Sequence, residues 1–149
     1  MDAATILLRI ALALAIGAAI GVNRDLRRKP AGVRTHSLVS IGAALVVMGA
    51  LAMPGATPDT VSRVVQGLIT GIGFLGAGVI LHHQSGQRIE GLTTAASIWV
   101  AAGLGAACGA GLAELALIGL VAALVVLILG GPFERALERL FGEGGRGAK

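Results

Sequence analysis

Hydrophobic and polar residues in this chain are segregated into blocks rather than interleaved. Five stretches run without Asp, Glu or Lys, over residues 5–22, 35–53, 64–81, 92–112 and 115–130. A helix crosses the hydrocarbon core of a bilayer in about 20 residues, range about 17–25, so each block is predicted to be one span. The blocks are continuous and lack period-two alternation, which argues against a membrane β-barrel, whose strands alternate apolar and lumen-facing polar positions. Lipid offers no partner for backbone N–H and C=O groups, so helices remain. The expected fold is an all-α membrane protein: a bundle of five transmembrane helices over residues 1–131, followed by a partly disordered cytoplasmic tail over 132–149.

Composition points the same way. Of the 149 residues 55% are hydrophobic and 13% charged, and 24 more are Gly. Soluble domains carry about 45–50% apolar residues with Gly included and about 25% charged, so a water-soluble enzyme is the first class excluded. One Cys forms no internal disulfide, and three His without a Cys or carboxylate cluster make no zinc signature. No catalytic residue, metal, cofactor or nucleic-acid partner is expected.

Charge sets the orientation, because loops retained in the cytoplasm collect Lys and Arg. Arg24, Arg27, Arg28, Lys29 and Arg34 lie in the first loop, Arg88 in the third, and Arg135, Arg139, Arg146 and Lys149 in the tail: ten of the twelve cations. Arg9, near the outer end of span one and able to snorkel outward, and Arg63 are the others. The N-terminus is therefore expected outside and the C-terminus inside. The Met1-Asp2 start and the cations after span one argue against a cleaved signal peptide. Beyond Pro132, Phe133, Leu137, Leu140 and Phe141 form one helical stripe, suited to lying along the inner membrane surface.

Glycines at four-residue spacing suggest close helix contacts. Gly17 and Gly21 in span one, Gly67, Gly71, Gly73, Gly76 and Gly78 in span three, and Gly103, Gly105, Gly109 and Gly111 in span four predict tight packing of these three spans, within or between protomers. The sharper reading is that the span-three glycines break that helix and line an ion path with free carbonyls. Span five, rich in Leu, Ile and Val, reads as lipid-facing.

Gly32-Val33-Arg34-Thr35 before span two resembles Gly91-Leu92-Thr93-Thr94 before span four, which suggests a parallel repeat of two helical hairpins. The Thr hydroxyls are expected to cap the first helical turns. The functional alternative is a cytoplasmic polar or anion site from Arg24, Arg34, Thr35, His36, Arg88, Glu90, Thr93 and Thr94, where two helix N-termini and the basic loop converge. Its ligand would be a lipid phosphate or an acidic stretch of a partner. His36 is the polar residue just inside a span. Cys108 reads as a small packing residue, Trp99 as lying within span four rather than at the interface, and His82 and His83 as solvated. No Asp or Glu falls inside a span, so a Mg²⁺ pore, which favours carboxylates, is hard to build from one chain.

Three blocks, GAAIGVNRDLRRKPAGVRTHSLVSIGAAL, RVVQGLITGIGFLGAGVIL and EGLTTAASIWVAAGLGAACGAGL, resemble the MgtC/SapB family of bacterial inner-membrane proteins, in the family's order. The resemblance implies a five-span membrane domain associated with magnesium limitation and, in pathogens, with survival inside host cells. It also implies a modulator of other membrane machinery, with ATP synthase a suggested target, rather than an established transporter. The matching family-type residues are Arg24, Ala31, Gly32, Arg34, Thr35, Arg63, Gly71, Gly73, Phe74, Gly76, Gly78, Gly91, Thr94 and Ala95. Family members usually carry Glu where this chain has Asn23 and Arg where it has Glu90, which suggests that the two loops touch and that Glu90 pairs with Arg24 or Arg28. Better-studied members carry a soluble ACT-type domain, which this chain is expected to lack. The implied function is helix-mediated modulation of membrane proteins, with lipid and a second copy of the chain as further partners. The runner-up is an ion (magnesium) transporter using span three, and a third reading is a lipid-binding scaffold.

Overall fold

A computed structural model describes residues 1–81 and 91–141. It contains five helices, α1 (Ala3–Leu26), α2 (Val33–Ala52), α3 (Pro58–Leu81), α4 (Leu92–Ala110) and α5 (Ala113–Phe141), and no strand among the described residues. Every helix is long and apolar enough to cross a membrane. His82, His83, Arg88, Glu90 and the Gly-rich end of the tail, with Arg146 and Lys149, lie outside the described residues.

The centre of the bundle is α4, the helix that touches all four others, and α2 lies between it and α1. On α1 the buried positions Ala13, Ile16, Gly17, Ile20, Gly21 and Arg24 recur every three or four residues, a seam that faces one neighbour. At Gly17 and Gly21 a Cβ would strike α2 backbone, the first meeting the His36 carbonyl oxygen at 2.5 Å and the second the Cα of Val33. On the other side of α2, a Cβ at Gly105 would strike the Ser40 carbonyl and one at Gly109 the Ala44 carbonyl. The order of these contacts makes α1 and α2 antiparallel and α2 and α4 parallel. Small residues thus let three backbones touch where lipid supplies no hydrophobic drive.

The hairpins α1–α2 and α3–α4 point the same way, but their packing differs. A Cβ at Gly76 would sit 3.4 Å from that of Ala95, whereas Gly67, Gly71, Gly73 and Gly78 have nothing within 4 Å. The expected packing of span three through its glycines is therefore made within the chain only at Gly76, while Gly67 and Gly71 line an open groove with Val46 of α2 and Gly73 and Gly78 meet open space. Nor is α3 broken: it is one continuous helix from Pro58 to Leu81. The core lies in two clusters, one around Ile16, Ile20, Met48 and Leu104 and the other around Val47, Ile72 and Ile98. Among the described side chains of α5 only Ala116 is fully buried, in keeping with a lipid-facing helix.

The helix ends are satisfied differently from expectation. Neither N-cap, Gly32 nor Gly91, supplies a side-chain cap bond. Instead the Asp25 carboxylate accepts the Val33 N–H of α2 at 3.0 Å, and a Cβ at Gly32 would collide with that carboxylate. At the far end, Asp2 caps α1 by accepting the Thr5 N–H at 2.8 Å, and hydrogen bonding to Thr5 holds its carboxyl below the usual carboxylate range. Gly111, at φ +83°, closes α4 with the bonds Leu112 N–H to Ala107 carbonyl and Gly111 N–H to Cys108 carbonyl, at 2.9 and 3.0 Å. Arg9 does not snorkel free: its Nη1 donates to the Gly109 carbonyl at 2.6 Å, placing a cation at the negative end of α4.

The fifth helix does not stop at residue 130 but runs through Pro132 to Phe141, so the amphipathic stripe continues the span. Proline lacks the N–H that would bond the carbonyl four residues earlier, here Ile128. Arg27 Nη2 donates to that carbonyl at 3.1 Å. The two features should be coupled. Arg27→Met is expected to cost about 0.5–1.5 kcal/mol, the net worth of one hydrogen bond, and to cost nothing in a Pro132→Ala background, where the restored backbone N–H takes the carbonyl. A double-mutant cycle read by unfolding in mixed micelles checks this, and additive costs would refute it.

Candidate functional site

At the end of the bundle where α1 finishes and α2 and α4 begin, four polar side chains from three helices meet in the interior. Arg24, only 4% exposed, donates from Nη2 to Thr94 Oγ1 at 2.6 Å. His36, fully buried, places Nδ1 3.1 Å from the Gly32 carbonyl oxygen and Nε2 3.0 Å from Ser97 Oγ. Ser97 Oγ also lies 2.8 Å from the Thr94 carbonyl. Arg24 and His36 therefore tie α1 and α2 to the first two turns of α4.

The proton count at His36 is restrictive. A carbonyl only accepts, so Nδ1 must carry the proton to bond Gly32, and a neutral ring then accepts at Nε2. Ser97 has one hydroxyl proton for two acceptors, His36 Nε2 and the Thr94 carbonyl, so it serves one of them at a time. Beside His36 and one turn beyond it, the hydroxyls of Ser37 and Ser40 are buried without a hydrogen-bond partner among the described residues, as are Arg24 Nε and Asn23 Oδ1. Among the described residues no carboxylate bonds Arg24. Beyond Ser40 the interior is closed by Ala43, Ala44 and Val47.

Of the predicted polar site, the structure gathers Arg24, His36 and Thr94. Arg34, Thr35 and Thr93 lie on the first turns of α2 and α4 and join no such contact. Arg88 and Glu90 lie outside the described residues, and with them the expected loop pairing; the described partner of Arg24 is Thr94. Ser37, Ser40 and Ser97 escaped the sequence reading, although 36, 37 and 40 share one helical face and 94 and 97 another. Cys108 is buried in the core, as a packing residue would be. No three His, Cys, Asp or Glu side chains come together among the described residues.

Two apolar surfaces flank this interior. A cavity of about 340 Å³ lies between α1, α4 and α5, lined by Ile20, Thr93, Ser97, Val100, Ala123 and Leu127 among others. On α3, Phe74 is 81% exposed beside the uncovered glycines.

Residues 10–136 of the chain match the MgtC family. The chain belongs to that family. It is 47% identical over 129 residues to protein SrpB of Synechococcus elongatus, covering 80% of this chain and 71% of that protein. It is 41% identical over 105 residues to protein MgtC of Salmonella typhimurium, covering 70% of this chain and 43% of the relative. Against protein MgtC of Brucella abortus it is 40% identical over 129 residues, covering 87% and 52%. The chain thus spans about half the length of the MgtC relatives named here. No solved structure matches. With its five apolar helices, this member of the MgtC family is a multi-pass membrane protein.

Proposed function

We propose that this MgtC family member modulates other membrane proteins by offering them the uncovered face of α3, in the bacterial inner membrane and under magnesium limitation or related stress. In this reading the N-terminus is outside and the basic α1–α2 turn is cytoplasmic, in line with the placement of Lys and Arg. One observation carries the proposal. Gly71, Gly73 and Gly78 meet nothing within 4 Å, and Phe74 stands almost free between them. Small residues beside a large one let a foreign helix approach closely and gain dispersion contacts, which is how helices associate in lipid. The occupant would be a helix of another membrane protein, with ATP synthase suggested by the family resemblance and a second copy of the chain as the other arrangement.

The second reading is ion passage along span three; it would draw on backbone carbonyls freed by a break in the helix, and the continuity of α3 favours the modulator reading over it. The test uses a photo-crosslinking residue at Phe74 in native membranes. One defined adduct is expected, lost on Gly73→Leu. A distinct test of the cytoplasmic face is whether the same partner co-purifies with Arg34→Ala. Absence of an adduct, or magnesium flux in liposomes holding this chain alone, would overturn the proposal.

A further inference from the structure

The interior cation Arg24, which meets no carboxylate among the described residues, and the apolar cavity near it belong to one end of the bundle. The cavity of about 340 Å³ between α1, α4 and α5 falls within the usual size of ligand pockets, about 300–1,000 Å³. Each of its three walls leads toward polar chemistry at the same end. On α1, Ile20 lines the cavity and Arg24 follows one turn later, 4% exposed, with Nε unbonded among the described residues. On α4, Thr93 lines it within the first helical turn, where backbone N–H groups have no intrahelical acceptor, and Gly91 before it has no side chain to cap them. On α5, Leu127 lines it, and Arg27 is held at the adjacent Ile128 carbonyl.

An apolar slot whose α1 wall stands one turn before Arg24, whose α5 wall adjoins the carbonyl that holds Arg27, and whose α4 wall includes the positive end of a 19-residue helix matches a molecule with a hydrocarbon tail and a phosphate. We propose that this cavity is a specific site for one anionic glycerophospholipid. An acyl chain would lie against Ile20, Val100 and Ala123, and the phosphate would be held by Arg24, Arg27 and the first turn of α4. The site explains why a guanidinium is kept in the interior with a hydroxyl, and no carboxylate, as its partner among the described residues: the phosphate would supply a counter-charge. It is separate from the α3 face, so it does not depend on the modulator reading.

The test is native mass spectrometry of the 149-residue chain released from micelles doped with equal phosphatidylglycerol and phosphatidylcholine. One phosphatidylglycerol adduct is expected in preference to phosphatidylcholine. Arg24→Gln should weaken its retention about tenfold, the loss of one charge-assisted contact. Ala123→Phe, which fills the slot and leaves both arginines in place, should weaken it comparably and keeps the test decisive if Arg24→Gln fails to fold. Inorganic phosphate should not displace the adduct. Equal retention of the two lipids, displacement by inorganic phosphate, or indifference to Ala123→Phe would each overturn the site.

Discussion

Alanine at Gly105 is expected to destabilise the bundle by about 1–3 kcal/mol, the usual cost of overpacking. Alanine at Gly73 is expected to be neutral or to stabilise it by up to about 1 kcal/mol, the helix propensity that Gly forgoes. Both glycines are helical and both stand in spans rich in small residues. Their surroundings differ completely. A methyl group at Gly105 enters the backbone of α2 at Ser40, where no side chain can swing aside, so the two helices must separate. Separation would also loosen the Gly109 contact with Ala44 one turn on, and with it the neighbouring core around Ala44, Met48 and Cys108. At Gly73 there is open space. Unfolding in mixed micelles gives both values, and two changes of the same sign would show that the packing is not as described. The contrast also makes Gly73→Leu a clean probe of partner binding, since the fold should survive it.

The same pair shows where sequence reading stops. Hydropathy located all five spans, because the penalty for an unsatisfied backbone in lipid forces every long apolar block into a helix. Boundaries were less legible. Charged ends hid the full extent of α1 to Leu26, and Pro132 suggested a stop where Arg27 in fact occupies the carbonyl that proline leaves free. Spacing revealed which glycines could pack but not which way they face. Gly17, Gly21, Gly105 and Gly109 all press on α2, a helix with few glycines, while the richest stripe, on α3, is left largely uncovered. In the candidate site, Arg24, His36 and Thr94 were legible as polar residues at the edge of a span. The serines were not, because Ser is common among small packing residues, and only contact across helices shows that Ser97 meets His36.

Thr94→Val is expected to cost about 1.5–3 kcal/mol, the worth of a hydrogen bond to a charged group, whereas the double change Arg24→Met with Thr94→Val should cost less than Thr94→Val alone. Valine keeps the shape of Thr94 but removes the acceptor of the 2.6 Å bond, stranding a guanidinium that is 4% exposed. Replacing the cation as well removes the charge that has to be desolvated, and a buried charge exchanged for a well-packed apolar side chain is often neutral or stabilising. The methionine stem fits the same apolar walls beside Ile20. If the ordering held, Arg24 would be a residue that the fold tolerates rather than needs. The bound phospholipid would then account for its presence: the double variant should regain stability and still fail to retain phosphatidylglycerol. A double variant less stable than Thr94→Val would instead make Arg24 a structural tie between α1 and α4, with the three helix ends depending on its charge.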